Sequence, residues 1–263
     1  MMILKQIILR AIALTCVISS TTYNISVLAQ SNISNGSYSD PKSIRFILNK
    51  IDPPNNGTPK TEGGTGSRSG NCTLADKKPS LTRLAGNNQL SLTTKSYPTF
   101  WVYVPYTSKD SPSAEFSLHD DENEVYRTKF QLAATPGIVG VVLPKQVASL
   151  QIGKTYRWYF DINCPVINTK DVSTPLSVTG IIQRVAVSEK LAQALKSANS
   201  PLEEIAAYAQ EGVWYDTLTQ LALLRLSSPQ NKDFQVAWLQ LLTDSTIGLK
   251  EIAEAELVGI LSD

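Results

Sequence analysis

The sequence is poor in the residues that build most metal sites and nucleophilic catalytic centres. It has one histidine, His119, and three cysteines among 263 residues. A single histidine excludes most metal sites that use several imidazoles, and it leaves a histidine-dependent triad with one candidate base. The charges also nearly cancel, because 24 Lys and Arg oppose 23 Asp and Glu. No global field therefore favours nucleic acid or an acidic surface as a partner.

Long hydrophobic runs are scarce, and the apolar stretch at the N-terminus is a short one. Lys5 and Arg10 make its beginning basic, and Ala29 is a small residue of the kind that precedes a signal peptidase cleavage site. The stretch is too short and too often interrupted by Ser and Thr to cross a bilayer. Residues 1–29 are therefore predicted to be a cleaved signal peptide. The mature protein is expected in the periplasm or outside the cell, without a transmembrane span.

Removal of residues 1–29 leaves two cysteines, Cys72 and Cys164. An exported protein with one pair of cysteines usually oxidises it, so we predict a disulfide between them. The alternative is a pair of metal-binding or catalytic thiols, but the chain lacks both a CxxC spacing and additional histidines. We predict no cofactor and no metal.

Residues 30–71 are rich in Gly, Pro, Asn and Ser and contain few core-forming residues. This composition predicts a flexible lead-in to the folded part of the chain. Its glycine-rich stretch, residues 63–70, lacks the Gly-Lys-Ser/Thr ending of a phosphate-binding loop. The stretch also lacks the Gly-x-Ser-x-Gly pattern of a nucleophile elbow, because Arg68 occupies the central place.

Residues 72–187 consist of short apolar runs that are separated by turn residues. The densest run, residues 97–105, places Trp101 and Tyr103 on one face of an extended chain and aliphatic or phenyl side chains on the other. Several such runs without intervening helices predict an antiparallel β-sandwich of immunoglobulin-like type. The predicted strands are residues 89–94, 98–104, 114–118, 124–132, 137–143, 154–163 and 176–187.

An acidic cluster follows His119 in the middle of this β region and includes Asp120, Asp121 and Glu122. One hypothesis for it is a calcium loop or a catalytic pair of histidine and carboxylate. The alternative is a solvated hairpin turn, because Asp and Asn are residues that such turns use. The cluster lacks the glycine of an EF-hand loop, so the hairpin is the favoured interpretation.

From residue 188 onward the hydrophobic period becomes helical, and residues 188–263 are predicted to form a C-terminal helical region. Ser188 and Ser200 are suitable N-caps, and Pro201 suits a first helical turn. Two helix pairs with short turns suggest a tetratricopeptide-like arrangement, and a compact helical cap packed on the sandwich is the alternative. The predicted fold class is therefore α+β. The predicted helices are residues 189–197, 201–210, 214–226, one that opens at Pro229, and a last one after Gly248.

Several segments in a fixed order resemble the exported cyanobacterial proteins that are grouped as domain of unknown function 928. The segments are Asp52-Pro53-Pro54 with Gly57 and Pro59, residues 97–105, Pro136-Gly137-Ile138, Leu143-Pro144, Gly153-Lys154 with Tyr156 and Trp158, residues 180–185, Gly212-Val213-Trp214-Tyr215-Asp216, and Leu221-Ala222 with Leu224-Arg225. The glycine-rich stretch lacks the tighter Gly-Thr-Arg-Gly form of that family. The resemblance implies an exported protein of cyanobacterial type and assigns no activity to it.

The first functional hypothesis is a non-enzymatic module of the cell envelope that binds a protein partner. Aromatic anchors dominate many interfaces, so Trp214, Tyr215 and Trp238 of the helical region are candidate contact residues. The alternative for each of them is an ordinary place in the core.

The second hypothesis is a polysaccharide-binding β-sandwich. Trp101, Tyr103 and Trp158, together with Tyr106, are candidate binding residues for it, and a buried sheet face is their alternative role. The third hypothesis is a hydrolase that uses the acidic cluster near His119. It is the least favoured, because adjacent residues on a turn seldom converge on one substrate.

Overall fold

The computed structural model describes residues 44–47, 78–85, 92–111, 113–120, 123–163 and 175–261. The predicted signal peptide, most of the lead-in and both Cys72 and Cys164 lie outside these ranges, as do Asp121 and Glu122. The expectations for those residues therefore stay predictions. All described residues belong to one unit, residues 40–263.

The β part of the structure consists of two sheets. The strands are β1 (Thr82–Arg83), β2 (Leu92–Thr93), β3 (Thr99–Val104), β4 (Ala114–Asp120), β5 (Asn123–Phe130), β6 (Gly137–Val142), β7 (Thr155–Ile162), β8 (Leu176–Arg184) and β9 (Leu257–Leu261). One sheet has the order β1-β3-β6-β9, and the other has the order β2-β8-β7-β4-β5. The seven predicted strands are confirmed as β2 to β8; of the first, residues 89–94, the structure describes only 92–94, and Leu92–Thr93 form the strand.

Two strand pairs depart from the expected antiparallel arrangement. Strand β2 runs parallel to β8, and β9 runs parallel to β6. Strand β9 lies where the sequence analysis placed the last helix, so that prediction is wrong; only a short 3-10 helix, Lys250–Ile252, precedes the strand. The run Leu257–Leu261 is apolar throughout and contains a glycine, which weakens a helix. Its hydrogen-bonding groups pair instead with the open edge of β6.

A close approach fixes how β9 joins the sheet. The amide of Ile138 donates to the carbonyl oxygen of Glu256 at 2.7 Å. A Cβ atom at Gly137 would lie 2.6 Å from that same oxygen. Glycine is therefore required at this position, because any side chain would push the two strands apart.

Four α-helices connect β8 to β9. They are α1 (Glu189–Ser197), α2 (Pro201–Gln210), α3 (Trp214–Ser227) and α4 (Lys232–Thr243). The side chains of Ser188 and Ser200 accept the predicted capping hydrogen bonds from Leu191 and Glu203. Gly212, at a φ of 67°, ends the turn that follows α2. The local capping signals thus predicted α1 and α2, and the helical spacing after Gly212 predicted α3, each to within one residue.

The two sheets pack face to face through aromatic side chains. The ring of Phe100 on β3 contacts Phe116 on β4 at 4.8 Å and Trp158 on β7 at 5.6 Å between centroids. On the other side of the four-stranded sheet, Trp101 donates from Nε1 to the hydroxyl of Thr219 on α3 at 3.0 Å. The helical region is therefore packed on the outer side of that sheet, which is the compact-cap alternative.

A short part of the predicted lead-in belongs to this core. Ile44 and Phe46 are buried, and Phe46 meets the ring of Trp214 edge-on at 5.1 Å. The amide of Ile47 donates to the carbonyl of Ala209 at 3.0 Å. Residues 44–47 therefore differ from the flexible segment that composition predicted, because their apolar side chains alternate and find partners on α2 and α3.

Candidate functional site

The first turn of α3 joins both sheets to the helices through three consecutive residues, Trp214, Tyr215 and Asp216. Successive residues of a helix point about 100° apart, so the three side chains reach three different parts of the structure. We call these residues the α3 anchor. All three are at most 3% exposed.

The aromatic members of the α3 anchor are held by internal hydrogen bonds. Trp214 donates from Nε1 to the carbonyl oxygen of Leu84 at 2.6 Å. The hydroxyl of Tyr215 accepts from Nε1 of Trp158 at 2.8 Å and donates to the carbonyl of Ile181 at 3.0 Å. Burial raises the pKa of the Tyr215 phenol, so this hydroxyl stays protonated and can donate.

Asp216 attaches α3 to the short strand β2. Its carboxylate accepts from the hydroxyls of Thr93 at 2.6 Å and Thr94 at 2.5 Å, and from the amide of Thr94 at 3.1 Å. Burial raises the pKa of this carboxyl, and the hydrogen bonds from the two threonines oppose the rise. Every contact of this carboxylate is internal, which identifies Asp216 as a structural residue.

The structure places all of the candidate binding aromatics in the core. Their exposed fractions are 1% for Trp101, 8% for Tyr103, 1% for Trp158, 0% for Trp214, 3% for Tyr215, 0% for Trp238 and 2% for Tyr106. This burial agrees with the core alternative that the sequence left open. It gives no support to a contact role.

The outer side of the five-stranded sheet carries a different set of side chains. Residues directly opposite in neighbouring strands point to the same side, and the register aligns Glu115 with Lys129 and Asp161. The outward residues, which we call the polar face, are Glu124, Arg127 and Lys129 on β5, Glu115, Ser117 and His119 on β4, Arg157, Tyr159 and Asp161 on β7, and Ser177 and Thr179 on β8.

Charges on the polar face are paired with one another. Arg127 forms ion pairs with Glu115 and with Glu124, and Lys129 lies 3.5 Å from Glu115. Asp161 faces Glu115 across the strand pair. Burial, and to a smaller extent the negative charge of Glu115, raises the pKa of the Asp161 carboxyl. The face therefore presents both signs of charge in a fixed pattern.

The single histidine lies on the polar face. Nε2 of His119 is 3.1 Å from the hydroxyl of Ser117, and its ring meets Tyr159 edge-on at 5.4 Å. A serine and a histidine at this distance resemble a nucleophile and its base. Ser117 is only 2% exposed, however, so its hydroxyl is not open to a substrate. The contact therefore adds no support to the hydrolase hypothesis.

The predicted hairpin is confirmed where the structure describes it. Strands β4 and β5 pair up to the positions Asp120 and Asn123, on either side of the turn. Asp120 forms an ion pair with Lys154. Among the described His, Cys, Asp and Glu residues, no group could hold a metal ion. Asp120 therefore acts in this structure as the charged partner of a lysine.

A cavity of about 460 Å³ opens between β1 and the 3-10 helix. Ser80 and Thr82 line one side, and residues 248–252 line the other. The hydroxyl of Thr82 already donates to the carbonyl of Ser80 at 2.8 Å. This volume lies in the usual range for small-molecule sites, but no convergent set of polar groups marks a ligand among its described lining residues.

A sequence model of one family, described as Domain of Unknown Function (DUF928), matches residues 63–257. The chain belongs to DUF928. The match runs from the glycine-rich stretch to the first residue of β9, so it includes the α3 anchor and the polar face. No curated protein and no solved structure matches the chain significantly. Among the described helices of this DUF928 member, none is long and apolar enough to cross a membrane.

Of the residues on the polar face, His119 is a candidate that the sequence alone suggests, and most of the others are not. The signal was present as the polar residues that alternate with apolar ones along β4 and β7. Alternation shows that one side of a strand faces water. It does not show which strands are neighbours, and so it could not bring Glu115, Arg127 and Asp161 together.

Proposed function

We propose that this DUF928 member is an exported, non-enzymatic module of the cell envelope that binds another protein through its polar face. The observation that carries the proposal is the contrast between the two sheets. The helical region covers the outer side of the four-stranded sheet through Trp101 and Thr219. Apart from that of Ser117, the outward side chains of the polar face are half-exposed or exposed in the described part of the structure.

The composition of the polar face supports a protein as the ligand. Arginine and tyrosine are enriched at protein interfaces. Arg157 and Tyr159 are adjacent on one side of β7, and Arg127 lies on the same face two strands away, across Ser117. Both signs of charge in fixed positions favour a partner with the complementary pattern and disfavour others. A sheet face is also broad, which suits a protein surface better than a small molecule.

A polysaccharide is the second candidate ligand, and one observation favours it. Tyr159 is an aromatic side chain that is half-exposed on the sheet face, and the ring of His119 meets it edge-on at 5.4 Å. A sugar ring can pack on an aromatic side chain that is held in this way. The candidate rests on Tyr159, because the aromatics that the sequence suggested are buried.

The proposal also covers where the protein is located and which known folds its β part and its helical region resemble. Export to the periplasm or beyond rests on the sequence of residues 1–29 and on the family resemblance. The face-to-face sheets support an immunoglobulin-like relationship, although the two parallel strand pairs differ from that fold. For the helical region the packing of Trp101 on Thr219 favours the compact cap over the tetratricopeptide-like arrangement, although each helix contacts its neighbour in sequence.

Site-specific photocrosslinking in the native cell envelope tests the proposal. One variant carries a photoactivatable residue at Lys129, whose side chain is 71% exposed on the polar face. The matched control carries the same residue at Val236, which is 45% exposed on α4. We expect one protein adduct of defined mass from position 129 and none from position 236.

Either of two other results would overturn the polar face as the contact surface: an adduct from position 236 alone, or no adduct at either position. A glycan array separates the second candidate from the first. Binding that Tyr159→Ala abolishes and Val236→Ala retains would transfer the function to a polysaccharide.

A further inference from the structure

Strand β9 lies at one edge of the four-stranded sheet. It pairs with β6 on one side, and no described strand pairs with its other side. The amides and carbonyls that an edge strand points away from its sheet are free to bond to another extended chain. Among the described residues, no backbone hydrogen bond outside the β6 pairing reaches Leu257–Leu261. The outward side of β9 is therefore open to a further strand.

The other edges of the two described sheets differ from that of β9. Strands β1 and β2 have two residues each. Strand β5 is longer, but it carries the exposed charges of Glu124, Arg127 and Lys129. Short edge strands and charged side chains are the usual protection against pairing between chains. Strand β9 has five residues and neither a charge nor a proline, so it lacks these two protections.

The side chain of Ile260 marks this edge on the outer side of the sheet. Ile260 lies opposite Gly140, which lies opposite Trp101 in turn. A Cβ atom at Gly140 would be 2.7 Å from Cδ1 of Ile260 and 3.0 Å from the Trp101 ring, so the three positions share one side. Ile260 is nevertheless 41% exposed. An apolar side chain is therefore left partly uncovered beside the open backbone groups.

A second copy of the same strand fits this edge. An extended polypeptide supplies amides and carbonyls at the spacing that a sheet edge requires. Pairing of a strand with its own copy brings identical side chains close together, which is unfavourable when they are charged. Strand β9 carries no charge. Strands β1 and β2 are too short to match it, and β5 is charged, so β9 itself is the best complement among the described edges.

We propose that two copies of the protein associate by antiparallel pairing of their β9 edges. A two-fold axis normal to the sheet produces this arrangement and keeps the outer side of both sheets on the same side. The register with β6 is regular over Gly259–Leu261, and the axis passes at Ile260, the middle of this stretch. The two Ile260 side chains then meet, and two four-stranded sheets become one. The inference is independent of the polar face, which belongs to the other sheet.

The size of the strand predicts a weak, reversible dimer. Five residues of β9 span about 17 Å, whereas a standard stable interface buries about 800 Å² on each partner. The contact between two Ile260 side chains adds apolar area, but the edge remains smaller than such an interface. The fraction of dimer should therefore depend on protein concentration.

Sedimentation velocity of the full mature chain over a wide range of concentrations tests the association. We expect the mean mass to rise from that of a monomer toward twice that value. Hydrogen exchange of the β9 amides should slow over the same range, because the new hydrogen bonds are made by its backbone. A monomer at every concentration, growth beyond a dimer, or a dimer with unchanged exchange in β9 would overturn the proposal.

Ile260→Lys is the disruptive variant, and Val142→Lys is its matched control. Both isoleucine and valine are 41% exposed. Val142 lies two residues from Gly140 and so on the same outer side, but on β6, one strand inward from the edge. We expect Ile260→Lys to stay monomeric, because two lysines would oppose each other across the axis, and Val142→Lys to dimerise like the wild type.

Equal loss of the dimer in both variants would assign the association to an apolar patch and overturn edge pairing. If Ile260→Lys does not fold, the concentration dependence of mass and of β9 exchange in the wild type still decides the matter.

Variants of opposite charge test whether Ile260 meets its own copy. Ile260→Glu alone should stay monomeric, as Ile260→Lys does. Equal amounts of the two variants should form a mixed dimer, because a lysine then lies opposite a glutamate. A mixture that remains monomeric would overturn antiparallel self-pairing centred on Ile260.

Discussion

The α3 anchor and the polar face are both rich in polar groups, but they satisfy them in opposite ways. In the anchor, Asp216 is 2% exposed and receives three hydrogen bonds from a single neighbouring segment. On the polar face, Arg127 is 40% exposed and divides its contacts between two carboxylates. Burial without a partner is costly, so a buried polar group must be matched within the chain.

The comparison teaches which residues build the fold and which are available to a partner. Water screens charges on an exposed sheet face, and their pairs contribute little to stability. Such charges can be exchanged for those of another molecule at small cost. The buried groups of the anchor cannot exchange their partners in this way. The aromatic content of the anchor therefore reflects packing and does not indicate a contact surface.

The largest effect is expected when an aromatic side chain of the anchor is removed. Trp214→Ala deletes a fully buried indole that packs on Phe46 and leaves the carbonyl of Leu84 without its donor. The free energy of unfolding should fall by about 3–5 kcal/mol, as measured by urea denaturation. Trp214→Phe, which keeps an aromatic ring, should cost less. A loss below about 1 kcal/mol for the alanine variant would show that the anchor does not hold the fold together.

A smaller loss of stability is expected at Gly180, where the backbone lies close to the Trp158 ring that donates to Tyr215. A Cβ at Gly180 would lie 2.5 Å from atoms of the Trp158 indole, which in turn donates to Tyr215. Gly180→Ala should therefore lower the free energy of unfolding by about 1–3 kcal/mol and shift the indole N–H signal of Trp158. The control is Gly153→Ala, where nothing lies within 4 Å of the added atom and φ is +81°. Gly153→Ala should lose stability through backbone strain but leave the indole N–H signal of Trp158 in place. An unmoved Trp158 signal in Gly180→Ala would contradict the close contact between residue 180 and this ring.

Asp216→Asn tests the polar member of the anchor. An amide offers one oxygen where the carboxylate offers two, so one of the threonine hydroxyls loses its acceptor. We expect the free energy of unfolding to fall by about 1–2 kcal/mol at neutral pH. Thr94→Val, which removes a hydroxyl donor and keeps the carboxylate, is the matched variant. A stability unchanged by either substitution would place Asp216 among the dispensable residues.

The same carboxylate gives a pH dependence of known sign. Burial raises the pKa of Asp216 in the folded protein above its unfolded value, so the bound proton favours the folded state. That contribution is fully present below the unfolded pKa and is lost as the pH rises through the folded pKa. In denaturation experiments, the stability of the wild type relative to Asp216→Asn should therefore decrease as the pH rises from about 4, the usual pKa of an aspartate, through the raised pKa of the folded protein. The opposite slope would mean that the hydrogen bonds from Thr93 and Thr94 outweigh the desolvation.

The structure also explains how much of the fold could be predicted from the sequence. Helices α1 and α2 begin where Ser188 and Ser200 provide caps, and capping depends only on the next few residues. Whether residues 257–261 form a strand depends on pairing with the open edge of β6, which is more than a hundred residues away in the chain. No local pattern contains that information, and the apolar run 257–261 suited a helix as well as a strand.

The candidate site likewise depends partly on local sequence and partly on contacts between residues that are distant in the chain. Aromatic residues such as Trp101 and Trp158 were recognised, but both sides of β3 are covered and the sequence could not show it. The polar face depends on strand order, because β7 lies between β4 and β8 only in the folded chain. Individual residues could therefore be predicted, whereas the surface that they form together could not.

The smallest effect is expected on the polar face, and it decides whether the two regions differ as proposed. Arg127→Ala removes the ion pairs to Glu115 and Glu124, but all three side chains are reached by water. Salt and solvent screen such pairs, so the free energy of unfolding should fall by less than about 1 kcal/mol. The same variant should reduce crosslinking of the protein partner from position 129 several-fold, because the charge pattern of the face is changed. A stability loss as large as that of Trp214→Ala, with crosslinking retained, would make the polar face a structural element like the anchor.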